Sequence, residues 1–485
     1  MVVKETYSFY SENIPITVTI ESTKDEFVLV YNVSIAKISP NTEIILDKIK
    51  QEISSKVKLG LSDISDLKKS EFVRKRFEDA ILYLLNKYLP TISDDIKKFL
   101  TTYLMHKALG LGKIELLLDD KNLEEVVINN AEEPVWVYHH KHGWLKTNIK
   151  LENEEQVKHY SSLIGRRVGR SISLLTPLLD AQLETGDRVN ATLNPISIKG
   201  NTITFRKFAT KPITMTDMIN QKTISISAAS LIWLGIEYEL SALVTGGTAT
   251  GKTSFLGAIC SFFQPNQRII SAEDTAELRL AKYLQWIPML TRQPNVEGKG
   301  EVTLLDLIVN SLRMRPDRIV VGEIRRQREA ETLFEAMHTG HSVYATLHAN
   351  DVNETINRIT NPPLNIPKNL LPAISMIIVM YRNRRTGIRR IYQIAEILSN
   401  AEPNVLLQLD LRQDKILTVN RSSRLMPELE LTTGLTTQEI NQNLKEKSLI
   451  LTWLAKKNIN EVNDIGKVIA TYYTNKNAVL NLLKK

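Results

Sequence analysis

The stretch SALVTGGTATGKTSFLGAICSFF, residues 241–263, carries an apolar run into a helix-like run through Gly246, Gly247, Thr248, Ala249, Thr250, Gly251, Lys252 and Thr253. These residues fit GxxxxGK[ST], in the context that pattern requires, with a strand before it and a helix after it. Glycines permit a tight turn in which successive backbone N–H groups, and those opening the helix at Ser254, face a phosphate. Lys252 then stands to neutralise β- and γ-phosphate oxygens, and the Thr253 hydroxyl to ligate Mg2+. The bland alternative, a glycine-rich turn beside a surface lysine, does not explain why both flanking runs are present. The implied ligand is a nucleotide.

Around this stretch the apolar runs SALVTG, RIISAE, RIVVGE and SVYATLHA alternate with the helix-like runs TSFLGAICSFF, LLDLIVNSLRM, EAETLFEAM and NETINRI. Such alternation predicts an α/β fold, a parallel sheet with helices on its faces. In an open parallel sheet the ligand crevice lies at the C-terminal strand ends. Acidic residues stand where two of these runs end: Glu273 and Asp274, with Glu277 just beyond, and Glu323. Hydrolysis of a bound phosphate needs such a group to hold the metal or orient the attacking water. Glu323 is the first choice for that role and Glu273 the second, with Glu273 also a candidate Mg2+ ligand. The bland alternative is solvated loop carboxylates. Of the histidines in HTGHSVYATLHAND, His348 ends a strand-like run on the same edge and could sense a γ-phosphate or couple the site to a neighbouring subunit; His341 precedes that run, and His338 reads as structural.

At 485 residues, 43% hydrophobic and 24% charged, the chain is long enough for several globular domains. Its single cysteine, Cys260, excludes an intrachain disulfide framework and any zinc site built from several thiolates. No leader-like or membrane-spanning run is evident, so a soluble, cytoplasmic protein is expected. The net charge of +8 comes from 62 basic against 54 acidic residues and says little by itself about partners. A local cluster, Arg382, Arg384, Arg385, Arg389 and Arg390, is either a solvated hairpin surface or a binding patch.

Strand-like alternation over residues 5–37 gives way to helical segments such as FEDAILYLLNKYL, which suggests a small mixed module over 1–107. Short strands around a helix near Glu154–Val168 suggest an α+β domain over 108–208. Residues 209–222, with Pro212 and no sustained apolar period, read as a linker. The α/β domain then spans 223–398, and a helical extension 399–485.

Four motifs in order, GGTATGKT, RIISAEDTAELRL, RPDRIVVGEIR and TGHSVYATLHAND, resemble the Walker A, Asp, Walker B and His boxes of the type II/IV secretion ATPase superfamily. The upstream segments GLGKIELLLDD, LEEVVIN, PLLDAQLETGDRVNATL and TFRKF resemble that family's N-terminal domain. The resemblance implies a RecA-like motor that hydrolyses ATP with Mg2+, Glu323 being the Walker B glutamate. It also implies that Arg188 and Arg206 match arginines which reach toward the nucleotide phosphates. The expected assembly is a homohexamer, peripherally bound to the inner face of the cell membrane, acting on a polytopic membrane platform protein to assemble a pilus-like filament. Bacterial pilus-assembly members usually carry a tetracysteine zinc element that one cysteine cannot build, so the chain looks most like an archaeal type IV pilus assembly ATPase.

Two other classes compete. A RecA-like nucleic-acid translocase would interleave aromatic residues with Lys and Arg along a channel, whereas aromatics are 6% of the chain and do not interleave with the arginine cluster; no nucleic-acid partner is expected. A scaffold that uses nucleotide only to lock an oligomer would not need Lys252, Thr253, Glu273 and Glu323 together.

Overall fold

Ile14, Ile16, Val18 and Ile20 are buried while Pro15 and Thr17 between them are exposed, the two-residue period of a strand with one covered face. The computed structural model describes residues 2–36, 38–56, 67–183, 185–208, 211–294 and 298–483, which fall in two units, Met1–Thr210 and Lys211–Lys485.

In the first unit, strands β1 (Val2–Ser11), β2 (Ile14–Ser22) and β3 (Val30–Ile35) precede helices α1 (Pro40–Lys56), α2 (Leu67–Tyr88), α3 (Asp94–Leu109) and α4 (Lys113–Leu118). Then come β4 (Leu123–Ile128), β5 (Trp136–His139), β6 (Gly143–Thr147), α5 (Glu154–Arg167), β7 (Leu178–Gln182), β8 (Arg188–Thr192) and β9 (Thr202–Arg206). All nine strands form one sheet in the order β1-β2-β3-β6-β5-β4-β9-β8-β7. The division expected at Lys107 therefore does not separate two sheets. β3 pairs in parallel with β6, and the hydroxyls of Tyr7 and Tyr31 both donate to Asp120 Oδ2 at 2.5 Å. A carboxylate only 1% exposed requires such donors, and here they come from the N-terminal strands. Helices α1, α2 and α3 do gather a cluster of their own around Leu46, Ile49, Ile81, Leu85 and Leu104.

The second unit runs α6 (Met215–Asn220), α7 (Ile226–Glu237), β10 (Ala242–Gly246), α8 (Lys252–Cys260), β11 (Arg268–Glu273), β12 (Gln285–Leu290), α9 (Leu304–Ser311) and β13 (Arg318–Val321). It continues with α10 (Gln327–His338), β14 (Ser342–Leu347), α11 (Val352–Thr360), β15 (Met376–Arg382), β16 (Arg389–Ile397), β17 (Pro403–Asp410) and β18 (Lys415–Thr418). Helices α12 (Leu425–Thr433), α13 (Thr437–Lys456), α14 (Val462–Thr474) and α15 (Lys476–Leu482) close it. Its sheet has the order β12-β11-β13-β14-β10-β15-β16-β17-β18, parallel through β15 and antiparallel after it. Every residue of β10, β13 and β14 is buried, as central strands covered on both faces must be. The expected α/β architecture is the one that forms.

Two boundaries differ from expectation. Of the expected linker, residues 209 and 210 lie outside the described residues; the rest includes α6, opened by a reciprocal Thr214–Asp217 capping box, with Met215 and Met218 in the core. Pro212 lies just before that cap. Past Ser399 the chain first adds β17 and β18, and its helices then pack into the unit's core: Ile450, Leu454 and Ile469 join Trp233 there. Lys447, wholly buried, pairs with Glu237 of α7 and lies 5.3 Å over the Trp233 ring. An isolated extension could not bury a lysine without such partners. No helix among the described residues is long and apolar enough to cross a membrane.

Candidate active site

Because β10, β11, β13 and β14 are parallel, their C-terminal ends share one edge of the sheet. Gly246, Glu273, Val321 and Leu347 end these strands, so the glycine loop, the Glu273–Glu277 segment, Glu323 and His348 are brought to that edge by topology alone.

The loop geometry explains its glycines. Gly246 has φ +155°, and a Cβ there would stand 2.6 Å from Thr250 Oγ1 and 2.8 Å from the Met380 carbonyl. Gly251, at φ +91°, forms the N-cap of α8 and offers no side chain to the first-turn N–H groups. Those donors are what a phosphate takes up. Lys252 Nζ donates to the carbonyls of Gly246 at 3.0 Å and Gly247 at 3.1 Å, so the lysine lies back along its own loop. Burial depresses its pKa, opposed by Glu323 and Glu277. Thr253 is half-buried and Ser254 exposed. Thr248 and Ala249 complete the turn; Ala249 sits at φ +59°, a left-handed conformation unusual for a residue with a Cβ, and its carbonyl accepts from Arg389 Nε at 3.2 Å. Thr250 Oγ1 closes the turn on the Gly247 carbonyl at 2.9 Å.

Among the carboxylates the structure separates two situations. Glu323 lies within electrostatic range of Lys252 and His348. Its Oε2 accepts from Arg325 Nε at 3.1 Å and Nη2 at 2.7 Å, while Arg325 Nη1 donates to Asp274 at 2.7 Å. Glu273 is 2% exposed, and its Oε1 accepts the backbone N–H groups of Glu277 and Leu278, both at 3.1 Å. It therefore ties down the loop after its own strand, and Glu277 is the member of that loop that the charge of Lys252 feels.

Burial pushes the Glu273 carboxyl from 4.5 up to about 7. The folded state thus binds this proton more tightly than the unfolded chain does. The resulting stabilisation is complete below pH 4.5 and is lost as pH rises through 7. Glu273→Gln, which keeps an acceptor oxygen but cannot ionise, is expected to stabilise the nucleotide-free protein at pH 8 by about 3 kcal/mol. That gain should shrink on acidification, and urea unfolding at a series of pH values reads it; a difference independent of pH would refute the account.

His348 stands beside Lys252 and Arg358, and partial burial, then those two charges, depress its pKa, with Glu323 and Glu354 opposing. His341 contacts Thr339 Oγ1 through Nδ1 at 3.2 Å, and His338 closes α10. Arg188 and Arg206 face each other across β8 and β9 in the first unit, where Arg188 is held by Asp180 at 2.7 Å. The arginine cluster does not act as one patch. Arg390 forks onto Asp414, Arg389 holds the glycine loop, and Arg384 and Arg385 lie in the exposed turn of the hairpin. Sequence reasoning missed Asn350, whose Oδ1 stands 2.8 Å from where a Cβ on Gly247 would be, and Arg358 at the end of α11. The only sequence signal for either was its place just after the His348 strand.

No group of three or more His, Cys, Asp or Glu among the described residues is arranged to hold a metal ion. Mg2+ does not ask for one, since it characteristically takes one or two protein oxygens and completes its shell with phosphate and water. Thr253, half-buried in the first turn of α8, offers one such oxygen.

Residues 107–385, more than half of the chain, match the model of a family described as Type II/IV secretion system protein. The chain belongs to that family. A putative conjugal transfer protein of Mycobacterium tuberculosis is 32% identical over 61% of this chain and 86% of its own length. Two uncharacterized proteins of Methanocaldococcus jannaschii are 37% and 38% identical over 62% and 70% of this chain, covering 54% and 46% of their own lengths. The chain thus spans about half the length of these two relatives. Among solved structures, the Legionella pneumophila ATPase DotB is similar at 19% identity and a TM-score of 0.43, over 73% of this chain and 94% of that one. In this secretion-family chain the match ends within the turn between β15 and β16, so the glycine loop and the strand-end acids all lie inside it.

Proposed function

We propose that the chain is a RecA-like, Mg2+-dependent ATP hydrolase whose turnover drives assembly of a type IV pilus-like filament. The observation that carries the reading is the convergence of Lys252, Thr253, Glu323 and His348 on one sheet edge. Phosphates enter the turn from Gly246 to Thr253 and take the first-turn N–H groups of α8. Lys252 exchanges the Gly246 and Gly247 carbonyls for phosphate oxygens. Mg2+ would be held by the Thr253 hydroxyl, with Glu273 as the second candidate, and would supply positive charge to the phosphate oxygens. Glu323 orients the attacking water, and His348, kept neutral, reads the state of the γ-phosphate. Chemistry of this kind rests on positioning and charge stabilisation.

Six copies form the working ring on this reading. It sits in the cytoplasm against the inner face of the cell membrane and acts on a polytopic platform protein. The Methanocaldococcus jannaschii relatives support the archaeal part of this reading, and the conjugal transfer relative keeps the broader secretion role in view. The alternative of a nucleic-acid translocase finds no continuous basic channel in the arginine cluster, whose members Arg389 and Arg390 are engaged within the chain.

Phosphate release by the purified protein, alone, with anionic phospholipid vesicles and with single-stranded DNA, together with its mass with and without nucleotide, tests the reading. Turnover stimulated by vesicles in a nucleotide-promoted hexamer is the expected result. Stimulation by DNA alone would replace the motor with a translocase, and no turnover in any arm would remove the hydrolase.

A further inference from the structure

Arg325 is placed where no motif reading gave it a task. It follows β13 by four residues, and its backbone is fixed: its own N–H and that of Arg326 both donate to Glu329 at 3.0 Å, and Glu329 is buried at the start of α10. From that anchor its guanidinium reaches two carboxylates that belong to neighbouring strands. Nε and Nη2 both meet Glu323, and Nη1 meets Asp274, which follows β11. Asp274 is itself steadied through Oδ1 by Thr291 Oγ1 at 3.2 Å.

The contacts on Glu323 are lopsided. Both Arg325 nitrogens fall on Oε2, and among the described residues nothing donates to Oε1. A planar guanidinium with fixed donor directions can hold one carboxylate oxygen by two bonds and still brace against a second acid. We propose that Arg325 is a positioning residue which grips Glu323 by Oε2, braced on Asp274, so that Oε1 is the oxygen presented to the attacking water. This rests on Glu323 being the water-orienting residue. The clamp fixes the direction of Oε1 without occupying it. Because the carboxylates follow adjacent strands, it also ties the β11 loop to the β13 end, so that a shift of either is felt at the reacting water.

The test is steady-state and single-turnover ATP hydrolysis with ADP affinity, on the full chain and on Arg325→Ala, Arg325→Lys, Asp274→Asn, Glu323→Gln and the double variant Arg325→Ala with Glu323→Gln. Arg325→Ala is expected to lower kcat by about 30- to 100-fold, as misplacement of a reacting group does, with KM and ADP affinity within about twofold. Arg325→Lys keeps the charge but not the fork and should resemble the alanine variant. Asp274→Asn removes only the brace and should cost about two- to fivefold. In the Glu323→Gln background the Arg325 change should add no further loss, because the two act as a unit. Unchanged kcat in Arg325→Ala, a loss confined to KM, full rescue by lysine, or an additive loss in the double variant would each overturn the clamp. Normal turnover in Glu323→Gln would instead sink the assignment of Glu323, and the clamp with it; loss there beside a normal Arg325→Ala sinks the clamp alone. Unchanged thermal unfolding and ADP binding separate misplacement from misfolding.

Discussion

Lys252→Ala is expected to cut ATP turnover by about 100- to 1,000-fold, the scale on which loss of one preorganised charge donor at a reacting oxygen is felt. The structure explains why no neighbour can substitute. Lys252 is the α8 residue whose Nζ lies against the loop carbonyls, and burial already depresses its pKa, so the environment favours giving it an anion. Arg389 and Arg358 are near the loop, yet Arg389 is committed to the Ala249 carbonyl and Arg358 acts on Lys252 only through its field. Affinity should fall as well, by about tenfold or more, since a charge-assisted bond to phosphate is lost. Phosphate release and calorimetric titration with ADP measure the two losses. Turnover within about threefold of the parent would mean that the phosphates are held elsewhere. The change should leave the fold intact, because Lys252 is a half-buried side chain over the loop and not part of the core beneath α8.

What was legible in the sequence was what depends on neighbours in the chain. The glycine loop could be read because its strand and helix flank it directly, and the edge of the sheet followed because parallel strands put their ends together. Glu323 and His348 were placed at that edge by the same rule. The same rule put Glu273 ahead of Glu277 without sight of how the chain bends after β11, and the structure buries the first and leaves the second near Lys252. Nor could it give Arg325 its two acids, since Asp274 is 51 positions away. In the first unit the strands over residues 5–37 were recognised, but that they share a sheet with residues 123–206 depends on Tyr7 and Tyr31 meeting Asp120 from more than 80 residues away, 113 and 89 positions respectively. β17 and β18 were missed because a short pair at the end of an antiparallel run alternates too briefly to stand out from the helical segments after it.

Glu323→Gln is the variant that separates binding from chemistry. Glutamine keeps the length of the side chain and an oxygen for Arg325 to grip, and it removes the negative charge and the ability to take a proton from water. Lys252 loses a favourable neighbour, but Glu277 still opposes its desolvation, so ADP and ATP affinity should stay within about twofold to threefold of the parent. Turnover should fall by about 100- to 10,000-fold, the range that a positioned general base supplies. The variant should therefore hold ATP rather than ADP after incubation with Mg2+, which chromatography of the denatured complex would show. If Glu323→Gln turned over ATP at the parent rate, the carboxylate facing Lys252 would be a charge partner only. Attention would then pass to Glu277, the other acid that Lys252 feels, because Glu273 is committed to the backbone of its own loop. A fall in affinity matching the fall in turnover would point instead to a metal or phosphate contact made in the ground state. The combination of intact affinity with lost turnover is the outcome that only an orienting or proton-accepting group produces.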